Sequence, residues 1–278
     1  MNPLRRRLLW SAALAGAAAS PRVQAAIGGL PSAQHGDSSP EWEHLRGKLF
    51  PGRSIDAALA TTRVQVVVPL RAAYGASVPV KIVAQLPQTP QLFLKKLYLL
   101  VDKNPSPLAA ELYLTPALGQ ANFETRIRVN EYSHVRVVSE WSDGALSMDS
   151  RYVKTSGGCS APPNRGPLNL IGRTVLTLPE GVHLGQPTAA QVTVVHPNDS
   201  GFELNQQTLM YIPSYFVRHI KLSYAEQLLF DAEIDFSISE NPTLRFDFVP
   251  RAGGGELRAE VEDSKDRQYV GTLAVAAG

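Results

Sequence analysis

Cysteine is almost absent from this sequence, which has a single one, Cys159, in 278 residues. The six histidines are scattered, and none stands in an HExxH or other metal-ligand spacing. The run Gly253-Gly254-Gly255 lacks the lysine and the helix of a phosphate-binding loop, so we interpret it as a hairpin turn. A Ser/His/Asp triad cannot be proposed from spacing, because such triads are assembled in space. We therefore predict no catalytic residue, no cofactor, no metal and no enzymatic activity.

The sequence also lacks a strong charge of either sign. It has 27 basic and 25 acidic residues, but Arg5, Arg6, Arg7 and Arg22 lie in a segment that we expect to be removed. Without them the count is 27 − 4 = 23 basic against 25 acidic residues, a formal net charge of −2. This balance gives no reason to expect binding to nucleic acid or to an anionic membrane surface.

The N-terminus has the three parts of a secretory signal peptide. A basic start with Arg5–Arg7 precedes the apolar stretch Leu8–Ala19, and Val23-Gln24-Ala25 supplies a small-x-small cleavage site. We expect cleavage after Ala25 and a periplasmic protein, by the Sec or the twin-arginine route. The apolar stretch is too short to serve as a membrane anchor.

The rest of the chain alternates apolar and polar residues with a period of two, the pattern of strands with one buried face. Turns rich in Pro, Gly, Asn and Asp separate the runs, and no helical run lies between them. In the first region we predict strands at Val64–Val68, Val78–Leu86, Leu94–Val101, Ala109–Leu114, Phe123–Val129, Val135–Trp141 and Leu146–Lys154. A second such region runs from Thr174 to Ala274. The fold class is therefore all-β, with two immunoglobulin-like β-sandwich domains.

One short helix is predicted ahead of the first sandwich. Ser39 can cap it, Pro40 suits its first position, and Glu41 and Glu43 lie where the helix dipole favours anions. Trp42 and Leu45 are three residues apart, so one apolar edge can dock on the following domain. We place the signal peptide at 1–25, the first domain with its helix at 26–155, a linker at 156–172 and the second domain at 173–278.

Cys159 stands in the linker, within the irregular run Thr155–Pro163. Gly157 and Gly158 before it give the backbone freedom, and the prolines after it stiffen the exit. We expect a mobile, solvated thiol outside both cores, with a pKa near the ordinary ~8.5 and only Lys154 and Arg165 as nearby cations. An unpaired cysteine in an exported protein indicates a reactive or intermolecular thiol, and an incidental linker cysteine is the alternative. The run from His196 to Gly201 is interpreted as a turn and not as a catalytic motif.

The sequence resembles two known families in succession. Leu100–Pro107, Thr125–Val129 and Ser142-Asp143-Gly144 leading to Gly157-Gly158-Cys159 look like SoxY, the sulfur-carrying subunit of the periplasmic thiosulfate-oxidising system. Val194–Pro197 with Gly201, Ile212-Pro213 with Phe216, and Ser239–Phe246 look like its partner, SoxZ. This order is similar to that of the fused SoxYZ-like carriers associated with quinoprotein dehydrogenases.

The resemblance implies a carrier that holds a covalent intermediate on Cys159 and presents it to partner enzymes of a Sox-type or quinoprotein dehydrogenase system. It also implies that the two domains dock on each other. Gly157, Gly158 and Cys159 match the first three positions of the Gly-Gly-Cys-Gly-Gly arm of SoxY, whereas Ser160 and Ala161 replace the last two glycines. The alternative function is a non-covalent periplasmic adaptor or chaperone for a quinoprotein (PQQ-dependent) dehydrogenase.

Overall fold

The computed structural model describes residues 38–162 and 166–276, so the predicted signal peptide lies outside the described residues. The first element is helix α1, Pro40–Leu49. Its start confirms the predicted cap, because the Ser39 hydroxyl accepts a hydrogen bond from the Trp42 N–H at 3.0 Å. Short 3₁₀ turns follow at Ala58–Thr61, Pro116–Leu118 and Leu168–Leu170.

Helix α1 docks on the first sandwich through Trp42, which is only 4% exposed. Trp42 packs in a small cluster with Phe50, Tyr98, Leu100, Val138 and Leu146, and Leu45 lies against this cluster. The buried Arg136 guanidinium lies 4.8 Å from the Trp42 ring centroid and is held by Asp102 at 2.7 Å. The predicted docking of this apolar edge is therefore confirmed.

The described chain also contains fifteen strands. The first half contains β1 (Ile55–Asp56), β2 (Val64–Val67), β3 (Val78–Ala84), β4 (Leu94–Val101), β5 (Leu108–Leu114), β6 (Phe123–Ile127), β7 (Ser133–Trp141) and β8 (Leu146–Val153). The second half contains β9 (Thr174–Thr177), β10 (Thr188–Val194), β11 (Val217–Tyr224), β12 (Gln227–Ile234), β13 (Thr243–Phe248), β14 (Gly255–Asp263) and β15 (Gln268–Val275). The all-β prediction is confirmed.

The strands form two sheets, and each sheet takes strands from both halves of the chain. The nine-stranded sheet has the order β1-β8-β7-β4-β5-β12-β11-β14-β15, and the six-stranded sheet has the order β2-β3-β6-β13-β10-β9. Each half is thus an immunoglobulin-like sandwich, and the two sandwiches join edge to edge. Each of the two sheets therefore runs through both sandwiches.

Two antiparallel strand pairs join the sandwiches, and we call this junction the seam. Strand β5 pairs with β12 over five residues, from Ala110 opposite Ile234 to Leu114 opposite Phe230. Strand β6 pairs with β13, where Phe123 stands opposite Phe246. These pairs close edges that would otherwise expose unpaired backbone groups, and one continuous apolar core fills the space between the layers. Within residues 38–162 and 166–276, no helix is both long and apolar enough to cross a bilayer.

Candidate functional site

Cys159 lies in the loop that follows β8, and its side chain is only 1% exposed. We call residues 156–160 the cysteine arm. Ser156, Gly157 and Ser160 of this arm are exposed, whereas Gly158 and Cys159 are buried. The expectation of a solvated thiol outside both cores is therefore wrong for this conformation.

Backbone hydrogen bonds explain the burial, because they hold the cysteine arm against the chain just after β6. The Gly157 N–H donates to the Asn130 carbonyl at 2.8 Å, and the Gly158 N–H donates to the Val129 carbonyl at 3.1 Å. These two bonds fix the arm, whose residues 158–160 form a turn, against the chain that follows β6. Cys159, which follows Gly158, is buried as a result.

Gly158 is required by a close approach of two backbone segments. A Cβ on this residue would lie 2.3 Å from the Gly75 carbonyl oxygen and 2.6 Å from the Val129 carbonyl oxygen. Gly157 differs, because a Cβ there would meet open space, but its φ of +72° disfavours any other residue. The flexibility that we predict for both glycines stays a prediction, and the structure adds a packing role for Gly158.

Arg128 is the charged group that clamps the cysteine arm. It is 2% exposed, and its guanidinium donates to the Gly158 carbonyl and to the Asn198 carbonyl, both at 3.1 Å. Glu203, also fully buried, lies 3.6 Å from the same guanidinium. One side chain of the first half thus joins the arm to two groups of the second half.

A second contact reaches the arm from the loop after β10. The Ser200 hydroxyl donates to the Cys159 carbonyl at 2.5 Å. The Glu203 carboxylate accepts the backbone N–H groups of Ser200 at 2.9 Å and of Gly201 at 3.0 Å, which fixes this loop. The segment from His196 to Gly201 is irregular, as its interpretation as a turn requires, and it also supplies the arm with hydrogen-bond partners.

Buried amides align the surrounding loops of the two halves. Asn104 donates to the Arg128 carbonyl at 2.8 Å and to the Ser237 hydroxyl at 3.1 Å, and its own oxygen accepts from the Asn130 N–H. Asn198 donates to the Ile238 carbonyl at 2.7 Å. Because buried polar groups left unpaired destabilise a fold, these bonds fix the loops that surround the arm.

The electrostatics of the site keep the thiol protonated in this conformation. Burial raises the pKa of Cys159 to about 12, and the carboxylates of Glu203 and Asp235 add to the rise. The Arg128 guanidinium acts in the opposite direction without offsetting the burial. The expected pKa near the ordinary value is therefore wrong for the buried arm, and the docked thiol is a poor nucleophile at neutral pH.

The site brings together residues that the sequence did not single out for it. Lys154 and Arg165 are the expected cations, but Arg128 is the cation beside the thiol, and Arg165 lies outside the described residues. The alternation of β6 predicts that Arg128 faces outward like Arg126. The strand ends at Ile127, however, and the chain turns Arg128 inward. Among the described residues, no group of three or more His, Cys, Asp or Glu side chains is arranged to hold a metal ion.

Two family models match this chain. The model of sulfur oxidation protein SoxY matches residues 51–159, so that its match ends at Cys159. The model of sulphur oxidation protein SoxZ matches residues 177–274. No curated protein matches the chain.

Several solved structures are distantly similar to this chain. A superoxide reductase (neelaredoxin) from Ignicoccus hospitalis is 12% identical, with 37% of this chain and 91% of that chain covered and a TM-score of 0.31. A β-glycosidase from Bacteroides vulgatus is 9% identical over 77% of this chain and 25% of that one, with a TM-score of 0.22. The chicken CNTN1 FN1–FN3 domains are 9% identical over 77% and 66%, also with a TM-score of 0.22.

The two β-sandwiches and the two family matches define a class, the carrier-type proteins of sulfur oxidation, which are carriers or adaptors and not catalysts. A SoxY domain comes first in the chain and a SoxZ domain second. The chain belongs to the fused SoxYZ-like proteins, as its sequence motifs indicate.

Proposed function

We propose that this protein carries a covalent, thiol-bound intermediate on Cys159 and presents it to partner enzymes. The observation that carries the proposal is how the arm is held: the clamp from Arg128 and Ser200 goes to the carbonyl groups of Gly158 and Cys159. These hydrogen bonds involve the backbone and not the sulfur atom, so the arm can be released without breaking any bond to the sulfur.

The docked arm is a resting state in this proposal. A thiol with a pKa of about 12 does not react at neutral pH, so loading and unloading require the arm to leave its site. Each hydrogen bond contributes a net ~0.5–1.5 kcal/mol, and ~1.5–3 kcal/mol where a charged group takes part. A partner that binds the free arm can supply free energy of this size.

A cargo that arrives as a sulfhydryl compound determines the chemistry of the loading partner. Joining a sulfhydryl compound to Cys159 through an S–S bond removes two electrons and two protons from the two thiols. The loading partner must therefore be an oxidoreductase that accepts two electrons. We propose that these partners are Sox-type enzymes or a quinoprotein dehydrogenase system in the periplasm, reached after cleavage of the chain following Ala25.

The adaptor function is the second candidate, and the burial of the thiol favours it. If the cysteine arm never leaves its site, Cys159 stays protonated and unreactive, and the protein acts only through its surfaces. The two functions differ in one requirement. Only the carrier needs the sulfur atom.

Replacement of Cys159 separates the two functions. In a deletion strain, we expect Cys159→Ala to abolish function completely, since no nucleophile remains at the arm. Ser160→Ala is the matched control, because it changes the exposed neighbour and leaves the thiol in place. Cys159→Ser is a poorer probe than it would be at an exposed site, since a buried unpaired hydroxyl destabilises a fold by ~1–3 kcal/mol.

Protein levels are measured in parallel, and the intact mass of wild-type protein from its native host shows the adduct directly. Full rescue by Cys159→Ala at a normal protein level would end the carrier proposal and leave the adaptor function.

A further inference from the structure

Residues 202–211 form an antiparallel hairpin that exposes an unusual amount of apolar surface. Leu204 pairs with Tyr211, and the Asn205 N–H donates to the Met210 carbonyl at 2.9 Å. We call this segment the apolar hairpin. Five of its side chains are between 43% and 73% exposed: Phe202, Leu204, Leu209, Met210 and Tyr211. Concentration of such side chains on one short segment is typical of an interaction surface.

The backbone conformation at Leu209 is one that leucine adopts unfavourably. Its φ is +55°, in the left-handed region that glycine or asparagine occupies with less strain. The side chain is also 73% exposed, so it gains nothing from packing. A residue that is unfavourable for both the backbone and the solvent is best explained by a contact made with another molecule.

The apolar hairpin carries no exposed charge. Its only ionisable side chains are Glu203, which is fully buried against Arg128, and the phenol of Tyr211. A surface of this kind does not select an oppositely charged partner. It fits a protein surface that is itself apolar and uncharged.

The hairpin is continuous with the interface that holds the cysteine arm. Glu203, at the base of the hairpin, lies 3.6 Å from Arg128. Ser200, two residues before the hairpin begins, donates a hydrogen bond to the Cys159 carbonyl. The Phe202 ring lies 5.9 Å from the ring of Phe236, whose neighbour Asp235 acts on the thiol. A molecule seated on the hairpin is thereby placed beside the arm.

We propose that the apolar hairpin is the docking surface for the partner enzyme that receives Cys159, and that the partner contributes an uncharged apolar patch beside its active-site entrance. This inference rests on the proposed carrier function. It adds where the partner binds and what kind of surface the partner presents.

Photo-cross-linking in living cells of the native host tests the docking. The full-length protein carries p-benzoylphenylalanine at position 211 or, as a control, at position 270, where Val270 is also exposed but lies on β15. We expect a cross-linked product with a second, different protein at position 211 only. Leu209→Asn in the same chain should reduce its yield about tenfold or more, the effect of removing an anchoring side chain from an interface.

Leu209→Asn keeps the test independent of folding, because asparagine tolerates the left-handed backbone. Its free energy of unfolding should be no lower than that of the wild type. Equal yields at positions 211 and 270, a product made of two copies of this chain, or a yield unaffected by Leu209→Asn would each overturn the inference.

The mass of the purified protein separates this inference from the function on which it rests. If wild-type protein carries an adduct on Cys159, Leu209→Asn should reduce its occupancy about tenfold or more, whereas Val270→Thr should not. An adduct that Leu209→Asn leaves unchanged refutes the docking surface while the carrier function stands. A cross-link that depends on Leu209, without any adduct on Cys159, refutes the carrier function and leaves the hairpin only as a contact surface of an adaptor.

Discussion

Cys159 has opposite requirements in its two states: it must be inert while docked and nucleophilic when presented. Burial provides the first state by keeping the proton on sulfur, since it raises the pKa of Cys159 to about 12. Exposure on a partner provides the second, because a solvated thiol returns to a pKa near ~8.5. The reactivity of the Cys159 thiol thus depends only on whether the arm is docked or exposed.

This difference predicts how stability depends on pH. The folded-state pKa lies above the unfolded one, so the protonated thiol stabilises the fold fully below pH 9 and loses this contribution as the pH rises towards 12. Over that window the free energy of unfolding of the wild type should fall relative to that of Cys159→Ala. The slope of the difference should reach up to about 1.4 kcal/mol per pH unit.

The measurement is denaturant unfolding of both proteins at a series of alkaline pH values, because the variant cancels the titration of every other group. Two curves that stay parallel from pH 8 to 11 would contradict a buried, protonated thiol.

At the scale of elements, the two arm glycines differ in what they tolerate, and this gives a matched pair of variants. In Gly158→Ala the new Cβ would meet the carbonyl oxygen of Gly75 at 2.3 Å, so the arm should be forced out of its site. In Gly157→Ala the Cβ meets open space, and the positive φ should cost about 1–2 kcal/mol without displacing the arm.

The rate of Cys159 alkylation by iodoacetamide at pH 8 reports the position of the arm. It should rise at least about tenfold in Gly158→Ala and change far less in Gly157→Ala, because only the exposed thiol forms an appreciable amount of thiolate. Equal rates in the two variants would mean that the close approach at Gly75 does not hold the arm.

The elements themselves were largely predictable. The alternating run that starts at Val78 correctly marked the start of β3, Val78–Ala84, because this strand has one face on the core. The cap at Ser39 was predictable because it is a local interaction within one helical turn. Strand β1 was missed, since a strand of two residues shows no periodicity.

The candidate site was predictable only at Cys159 and its two glycines. Arg128, Ser200 and Glu203 come from loops far apart in the chain, and nothing in their local sequence distinguishes a buried clamp from an ordinary surface group. The burial of the thiol follows from these distant contacts. Reasoning from the composition of the linker therefore placed the thiol in solvent.

At the scale of the whole molecule, the seam makes the two halves a single cooperative unit. Phe230 of β12 is completely buried and lies between Phe123 of the first half, at 5.3 Å, and Phe246 of the second, at 5.1 Å. The aromatic contacts thus cross the seam along with the backbone hydrogen bonds of β5 and β12. We expect the two domains to unfold together.

The tryptophans provide a test of this cooperation, because Trp10, Trp42 and Trp141 all precede the second half. Phe230→Ala should destabilise the protein by about 3–5 kcal/mol. The unfolding followed by the tryptophan fluorescence of the first half should then show this full loss of stability. It should occur in one transition that coincides with the transition measured by calorimetry. Phe202→Ala, the same change at a half-exposed position, should have far less effect.

A fluorescence transition that stays at its wild-type midpoint in Phe230→Ala would show instead that the SoxY domain unfolds independently of the SoxZ domain.

The attachment of the arm to β8 sets a limit on the architecture of any enzyme that uses it. Cys159 follows Val153, the last residue of β8, by six residues (159 − 153), and the return path to β9 at Thr174 is longer. A fully extended chain spans at most ~3.3–3.6 Å per residue, so the Cα atom of Cys159 reaches no further than about 22 Å from the end of that strand. The arm is therefore a tether of known radius. The reacting centre of the partner has to lie within that radius of β8 when the two proteins are bound.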